Sequence, residues 1–217
     1  MRRSLAVLGM LLGILASHAS AADTAPKLFK EYAYGEDHKN YEGKKEFYDC
    51  AEEFGTGALC KDGVQFMGRD FTAVLGFSDK KLTRVSLFAE SDQELFNKLI
   101  GGISQTFTLI SLSDGKSQLD ILHTLKSDPQ AKVVITNFES AGISGGNFTY
   151  TFLENLTSVA RSDSVYDAVE KAPMGVRSAD LMVVGEGPET ALVLKFSMPK
   201  QEARKIKEAH AKPAESF

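Results

Sequence analysis

Two runs of alternating apolar residues, separated by a short polar segment, constrain the fold of this chain more than any other feature. The first run places apolar side chains at every second position from Phe71 to Phe77, and the second does so from Val85 to Ala89. The segment at 78–81, Ser-Asp-Lys-Lys, is typical of a turn. A period of two residues is that of a half-buried strand. The sequence therefore predicts a β-hairpin with one apolar face.

A helix is predicted directly after this hairpin. Ser91 and Glu94 have the spacing of a capping box, in which the Ser91 hydroxyl accepts from the Glu94 backbone N–H and the Glu94 carboxylate accepts from that of Ser91. Apolar residues follow at helical spacing: Leu95, Phe96, Leu99, Ile100 and Ile103. We interpret this stripe as the helix face that packs against the hairpin.

The remaining patterns predict further strands and few helices. Helices are expected at 117–126 and 162–172, and a charged helix or tail from residue 200. Strands are expected at 45–53, 107–112, 133–138, 148–153, 156–160, 181–184 and 191–196. Strand pairs with tight turns dominate, and a regular alternation of strand and helix is missing. This order predicts an α+β fold, a mainly antiparallel sheet with about three helices packed on one face.

The N-terminus has the three parts of a secretory signal peptide. Arg2 and Arg3 provide the positive charge, residues 5–15 are almost entirely apolar, and Ala19 and Ala21 supply the small residues that precede a cleavage site. The apolar run is shorter than the roughly 20 residues of a transmembrane helix. An uncleaved anchor and twin-arginine export of the folded protein are the alternatives. The sequence thus predicts a signal peptide at 1–21 and a periplasmic or secreted mature protein.

The mature chain is expected to hold one domain. Removing 21 of the 217 residues leaves 196, which suits a single hydrophobic core. We divide it into an N-terminal extension at 22–44, an α+β domain at 45–199 and a charged tail or helix at 200–217. Loss of two arginines changes the net charge from −4 to −6. An acidic chain of this kind argues against nucleic acid as the main ligand, and no further stretch is long enough to span a membrane.

Cys50 and Cys60 are the only two cysteines, and both belong to the mature chain. In an oxidising compartment an even count favours a disulfide. Gly55 and Gly57 lie between them and allow the chain to fold back. A metal site or a redox pair is the alternative, but the nearest histidine, His38, fits no ligand pattern and the spacing is not Cys-x-x-Cys. We predict a structural bridge, with no metal and no cofactor.

One segment resembles a catalytic motif. Residues 142–146, Gly-Ile-Ser-Gly-Gly, match the Gly-x-Ser-x-Gly pattern that presents a nucleophilic serine between a strand and a helix. The chain order would permit a triad of Ser144, an aspartate and His210, with Asp180, Asp163 or Asp167 as the aspartate. A strand is predicted after the motif, however, where a hydrolase has a helix. A glycine-rich hairpin loop accounts for the same residues.

Three hypotheses for function follow. The first is an exported non-catalytic binding or accessory protein, whose partner is a protein or small molecule of the cell envelope. Its contact surface would include the loops that carry Glu52, Glu53, Gly142 and Ser144, because exposed loops on a rigid sheet often carry function. The second is a serine hydrolase that uses Ser144. The third is a carrier of an apolar ligand, suggested by the aromatic strand faces, although such faces normally pack the core.

Overall fold

The computed structural model describes residues 25–154, 159, 161–185 and 187–211, and its main feature is a nine-stranded antiparallel sheet. A two-stranded hairpin of β1 and β2 precedes the large sheet, whose strand order is β3-β4-β5-β6-β11-β10-β9-β7-β8. The predicted signal peptide, the end of the tail and most of the strand predicted at 156–160 lie outside the described residues. The strands are β1 Lys27–Phe29, β2 Tyr32–Ala33, β3 Tyr48–Asp49, β4 Leu59–Phe66, β5 Arg69–Ser78, β6 Lys81–Glu90, β7 Phe107–Ser113, β8 Gln118–Asp120, β9 Asn147–Glu154, β10 Ser178–Val184 and β11 Ala191–Ser197.

The described part of the chain contains six α-helices and two short 3-10 helices. The α-helices are α1 Ala51–Phe54, α2 Gln93–Ile103, α3 Ile121–Ser127, α4 Ala131–Ile143, α5 Val165–Lys171 and α6 Pro199–Ala211. The 3-10 turns are His38–Asn40 and Gly187–Glu189. The predicted hairpin is confirmed as β5 and β6, and strands are confirmed at 107–112, 148–153, 181–184 and 191–196. No described helix combines the length and apolar character needed to cross a membrane.

The pairing register explains how one face of the sheet becomes the main core. Residues opposite one another on neighbouring strands point to the same face. One such row crosses six strands and consists of apolar side chains in the main core cluster: Ala73, Leu87, Leu194, Leu181, Tyr150 and Leu112. The next row points to the opposite face and is mostly polar: Val74, Ser86, Lys195, Asp180, Thr151 and Ser111.

Helices lie on both faces of the sheet, so the prediction of about three helices on one face is wrong in this respect. Leu95 and Leu99 of α2 and Phe138 of α4 pack against the main core. On the opposite face, Ala168 of α5 packs with Leu153 in a second cluster. The sheet has nine strands, and the alternation of its side chains leaves apolar positions on each face that helices cover. The coarse class, α+β with a large antiparallel sheet, is confirmed.

The strand predicted at 133–138 is instead part of helix α4. Its β-branched residues favour a strand over a short window. Over the full helix, however, the inward positions Ala131, Ile135, Phe138 and Gly142 recur at helical spacing. Packing of this longer stripe on β7 and β9 outweighs the local propensity.

Three other boundaries differ from the sequence prediction. At 45–53 the strand is only β3, because the Asp49 carboxylate accepts the Ala51 backbone N–H and starts α1 (2.8 Å). Helix α2 begins one residue late: Asp92, not Ser91, caps it by accepting the N–H of Leu95. The helix predicted at 117–126 is preceded by β8 and is capped by Asp120. In each case a side-chain hydrogen bond fixes the first turn.

Candidate ligand pocket

The residues before β3 form part of the main core. Leu28, Phe29 and Tyr32 are buried in the same cluster as the large sheet. Backbone hydrogen bonds then hold the following segment against the start of β6: Gly35 donates to the Leu82 carbonyl (2.7 Å), and Leu82 donates to that of Glu36 (2.8 Å). This contact determines where the next residues, 37–42, lie.

The β5–β6 turn receives this segment. Asp79 and Lys80 have φ values of 52° and 61°, the left-handed pair that tight hairpin turns require. The Lys80 carbonyl accepts the backbone N–H of His38 (2.9 Å). The Asp37 carboxylate accepts from the Lys81 ammonium at 2.8 Å, and this bond lowers the pKa of Asp37. The 3-10 turn that begins at His38 is therefore fixed on the hairpin end.

His38 lies in an aromatic and polar environment. Its imidazole meets the Phe77 ring edge-on, with centroids 4.7 Å apart and planes at 72°. Its Nδ1 atom lies 3.5 Å from a Glu42 carboxylate oxygen. Behind Phe77 the ring of Tyr41 is buried, and burial together with a hydrogen bond to the Glu36 carboxylate raises the pKa of Tyr41 well above its ordinary value. The Phe77 ring thus lies between the imidazole of His38 and the buried ring of Tyr41.

The cysteine loop supplies the opposite wall. Cys50 and Cys60 lie at disulfide distance, with sulfur atoms 2.04 Å and Cα atoms 5.9 Å apart. Gly57, at φ 74°, brings the backbone close to the histidine, since a Cβ placed on it would lie 4.0 Å from the Nε2 atom of His38. Thr56 is exposed beside it. The loop therefore faces the imidazole edge that does not meet Glu42.

These three segments enclose an open pocket of about 560 Å³. This volume lies within the range of about 300–1,000 Å³ that is usual for small-molecule sites. The walls combine one aromatic ring, one imidazole and charged groups of both signs, and the lining residues are Asp37, His38, Lys39, Glu42, Thr56, Gly57, Phe77, Asp79 and Lys80. We refer to it as the His38 pocket.

The sequence-predicted binding residues lie in two separate places. Glu52 and Glu53 are exposed on α1, within the cysteine loop but outside the lining of the His38 pocket. Gly142 and Ser144 end helix α4 on a different part of the sheet. Gly142 is buried, and a Cβ placed on it would lie 2.3 Å from the ring of Phe148. Its role in the fold is close packing against that ring.

The structure does not bring the three candidate triad residues together. Ser144 follows a helix and precedes a strand, the reverse of the order in a nucleophile elbow. Its hydroxyl donates to the Ser140 carbonyl (3.2 Å). Asp180 accepts from the Lys195 ammonium at 2.6 Å, and His210 is exposed in the last turn of α6. Among the described residues, no hydrogen bond or ion pair joins any two of the three.

Most of the aromatic residues on the strand faces that suggested an apolar carrier lie in the core, whereas Phe77 is partly buried and lines the His38 pocket. Phe71, Phe148 and Phe152 are at most 2% exposed and belong to the main cluster. Within the part of the chain that the structure describes, no three His, Cys, Asp or Glu side chains are grouped so that they could hold a metal ion.

Sequence reasoning missed His38 and Phe77 as site residues. The sequence pattern assigns residues 22–44 to an extension and places Phe77 only on an apolar strand face. The one available signal was the proximity of His38 to the cysteine loop in the sequence. Comparisons of this chain with family models, with curated proteins and with solved structures found no match.

Proposed function

We propose that this chain is an exported, non-catalytic binding protein and that its ligand occupies the His38 pocket. The observation that carries the proposal is the construction of that pocket. Three segments that are far apart in sequence meet there around a half-buried imidazole and an aromatic ring. Pockets with an apolar surface and a few convergent polar groups are the usual form of ligand sites.

The chemistry of the pocket favours binding over catalysis. Two of its three carboxylates have basic partners: Asp37 accepts from the Lys81 ammonium, and a Glu42 oxygen lies 3.5 Å from Nδ1 of His38. In the described structure no serine, cysteine or threonine nucleophile is hydrogen-bonded to His38, as covalent catalysis would require. The exposed ammonium groups of Lys39 and Lys80 offer hydrogen-bond donors at the rim. These groups suit recognition of a small polar ligand, or of a polar side chain of an envelope protein.

Export is part of the proposal. The charged, apolar and small-residue parts at 1–21 support a cleaved signal peptide, and the cysteine pair is consistent with an oxidising compartment. We infer a Cys50–Cys60 disulfide in the mature protein. The bridge would hold the loop that forms one wall of the pocket. The shape of the binding site would therefore depend on the oxidising conditions of the compartment.

The test compares the ligand load of three proteins, each purified from the cell envelope without denaturation and examined by native mass spectrometry. Wild type is compared with Thr56→Trp, which places a large ring at the pocket wall, and with Glu52→Trp. The Glu52→Trp control adds the same ring to the same loop at an exposed position outside the pocket. We expect an added mass, or a bound protein, on wild type and on the control, and its loss from Thr56→Trp.

Two results would contradict the proposal. One is wild-type protein of bare mass with no retained molecule in gentle conditions. The other is an equal load on Thr56→Trp and on the control, which would place the ligand elsewhere. Thermal unfolding of all three proteins shows whether a loss of load reflects loss of the fold.

A further inference from the structure

A second, apolar cleft lies away from the His38 pocket. It is bounded by β1, the β4–β5 turn, the C-terminal end of α2 and β11, and its volume is about 260 Å³. Most of its lining is aromatic or aliphatic: Phe29, Phe66, Met67, Ile103, Phe107 and Phe196. An engineered apolar cavity of about 150 Å³ is large enough to bind benzene. The cleft therefore has room for one ring with a short substituent.

The phenylalanine rings of the cleft are arranged around a common space. Phe29 stacks on Phe196, with centroids 5.3 Å apart and planes at 16°. Phe66 meets Phe29 edge-on at 5.2 Å, and Phe107 lies 6.4 Å from Phe196. The rings pack on one another, and Phe29, Phe107 and Phe196 are at most 6% exposed, so an aromatic guest would meet the part of each ring that borders the cleft.

Met67 lines the cleft and has an uncommon backbone conformation. It occupies the two-residue turn between β4 and β5 with φ 48°, a left-handed conformation that is uncommon for a bulky residue. Its side chain crosses to α2, where a Cβ placed on Gly102 would lie 2.1 Å from the Met67 methyl carbon. A glycine inside a helix also lowers stability, by about 1 kcal/mol relative to alanine. The thioether is flexible and can adapt to the shape of a guest in the cleft that it lines.

One cation lies at the mouth of the cleft. The Arg177 guanidinium is 5.2 Å from the centroid of Phe107 and is half-buried. It donates to the Glu154 carboxylate through Nε (3.2 Å) and Nη2 (2.6 Å). That pair holds the guanidinium plane in place. An arginine has five N–H donors in a fixed fork, so the fixed group keeps donors for a further acceptor.

From these observations we propose that the cleft binds a small carboxylic acid with a single aromatic ring or short alkyl chain. The apolar body lies among Phe29, Phe66, Phe107 and Phe196, and the carboxylate accepts from Arg177 at the mouth. Charge-assisted bonds from arginine to a carboxylate are among the stronger hydrogen bonds of proteins. Met67 closes over the ring and adapts to its shape. This site is independent of the His38 pocket.

To test this proposal, the affinities of phenylacetate and of its neutral analogue phenylacetamide for the mature protein are measured by titration calorimetry. The amide keeps the ring and the size but lacks the charge. We expect phenylacetate to bind roughly tenfold more tightly, a difference of about 1.4 kcal/mol. Equal affinity for the two compounds, or no binding of either at millimolar concentration, would overturn the proposal.

Two variants on neighbouring exposed residues locate the site. Thr106→Trp fills the cleft from its rim, whereas Gln105→Trp adds the same ring one residue away, outside the lining. We expect loss of phenylacetate binding in Thr106→Trp and an affinity within twofold of wild type in Gln105→Trp. Retained binding in Thr106→Trp would refute the placement.

A third variant tests the role of the Arg177 charge without leaving the Glu154 carboxylate unpaired. The double change Arg177→Gln with Glu154→Gln replaces the ion pair by an amide pair, so its fold is expected to persist. It should reduce the preference for phenylacetate over phenylacetamide to about one. A retained preference would refute the role of Arg177. Thr56→Trp should bind phenylacetate as wild type does, which separates this site from the His38 pocket.

Discussion

Reduction of the cysteine pair should lower the stability of the folded protein by an amount that the loop length sets. Cys50 and Cys60 are separated by 10 positions. The chain-entropy relation gives about 2.7 kcal/mol at 25 °C for closing a loop of this length. Cys60 is 1% exposed and packs with Ala58, Val74 and Phe88 on one face of the sheet. Reduction leaves the sulfur atoms there, so it removes the cross-link while largely preserving the packing.

Urea unfolding followed by circular dichroism measures this effect. With a slope of about 2 kcal/mol/M, a loss of 2.7 kcal/mol lowers the urea midpoint by about 1.4 M. Intact and reduced wild-type protein are compared, with alkylation and mass spectrometry used to count free thiols. The double variant Cys50→Ala with Cys60→Ala is the control, and its midpoint should not respond to reductant.

Two results would refute the reasoning. Free thiols in protein purified without reductant would show that the pair is not bonded. A shift below about 0.3 M on full reduction would show that the loop is already constrained in the unfolded chain, so that the entropy relation does not apply.

Further predictions concern stability and reactivity. Gly142→Ala should destabilise the protein by about 1–3 kcal/mol because its Cβ would overlap a buried aromatic ring. Gly101→Ala, in open space on α2, should instead stabilise it by about 0.5–1 kcal/mol. A urea midpoint equal to that of wild type in each variant would contradict both predictions. Asp120→Ala should cost about 2 kcal/mol by the same assay, because its carboxylate accepts a backbone N–H at the start of α3 and another at the start of α5. Burial raises the pKa of Tyr32 to about 12 from 10.0, so the unfolded chain loses this proton first. The contribution of Tyr32 to stability should therefore be constant below pH 10 and fall between pH 10 and 12, and the fall in stability over this range should be smaller in Tyr32→Phe. A fluorophosphonate should not label Ser144, and labelling that is lost in Ser144→Ala would revive the hydrolase hypothesis.

The parts of the fold that could be predicted from sequence are those with a strong local pattern. The hairpin of β5 and β6 was predictable because its alternation runs over two long strands joined by a short polar turn. Helix α2 was predictable because its apolar stripe follows a capping residue. Helix α4 was not, because its first half is rich in β-branched residues and its identity depends on packing against strands β7 and β9, which come from either side of it in the chain.

The placement of helices on both faces of the sheet also could not be predicted from local sequence patterns. It depends on which side of the sheet each strand row points to, and this is known only once the strand order is known. Leu153 illustrates the difficulty. It lies next to Phe152 in sequence, but the two side chains belong to opposite faces and to different core clusters. A continuous apolar run cannot show that two layers of helices are needed to cover it.

The His38 pocket shows why the site was harder to predict than the fold. Its walls come from residues 37–42, 56–57 and 77–80, and apart from Phe77 at the end of a strand these segments are typical of ordinary polar loops. They meet because Asp37 pairs with Lys81 and because the His38 N–H donates to the Lys80 carbonyl. Neither bond has a sequence signature. The same two bonds fix the imidazole over Phe77, so any change that frees residues 37–38 from the hairpin end should dismantle the pocket while leaving the sheet intact.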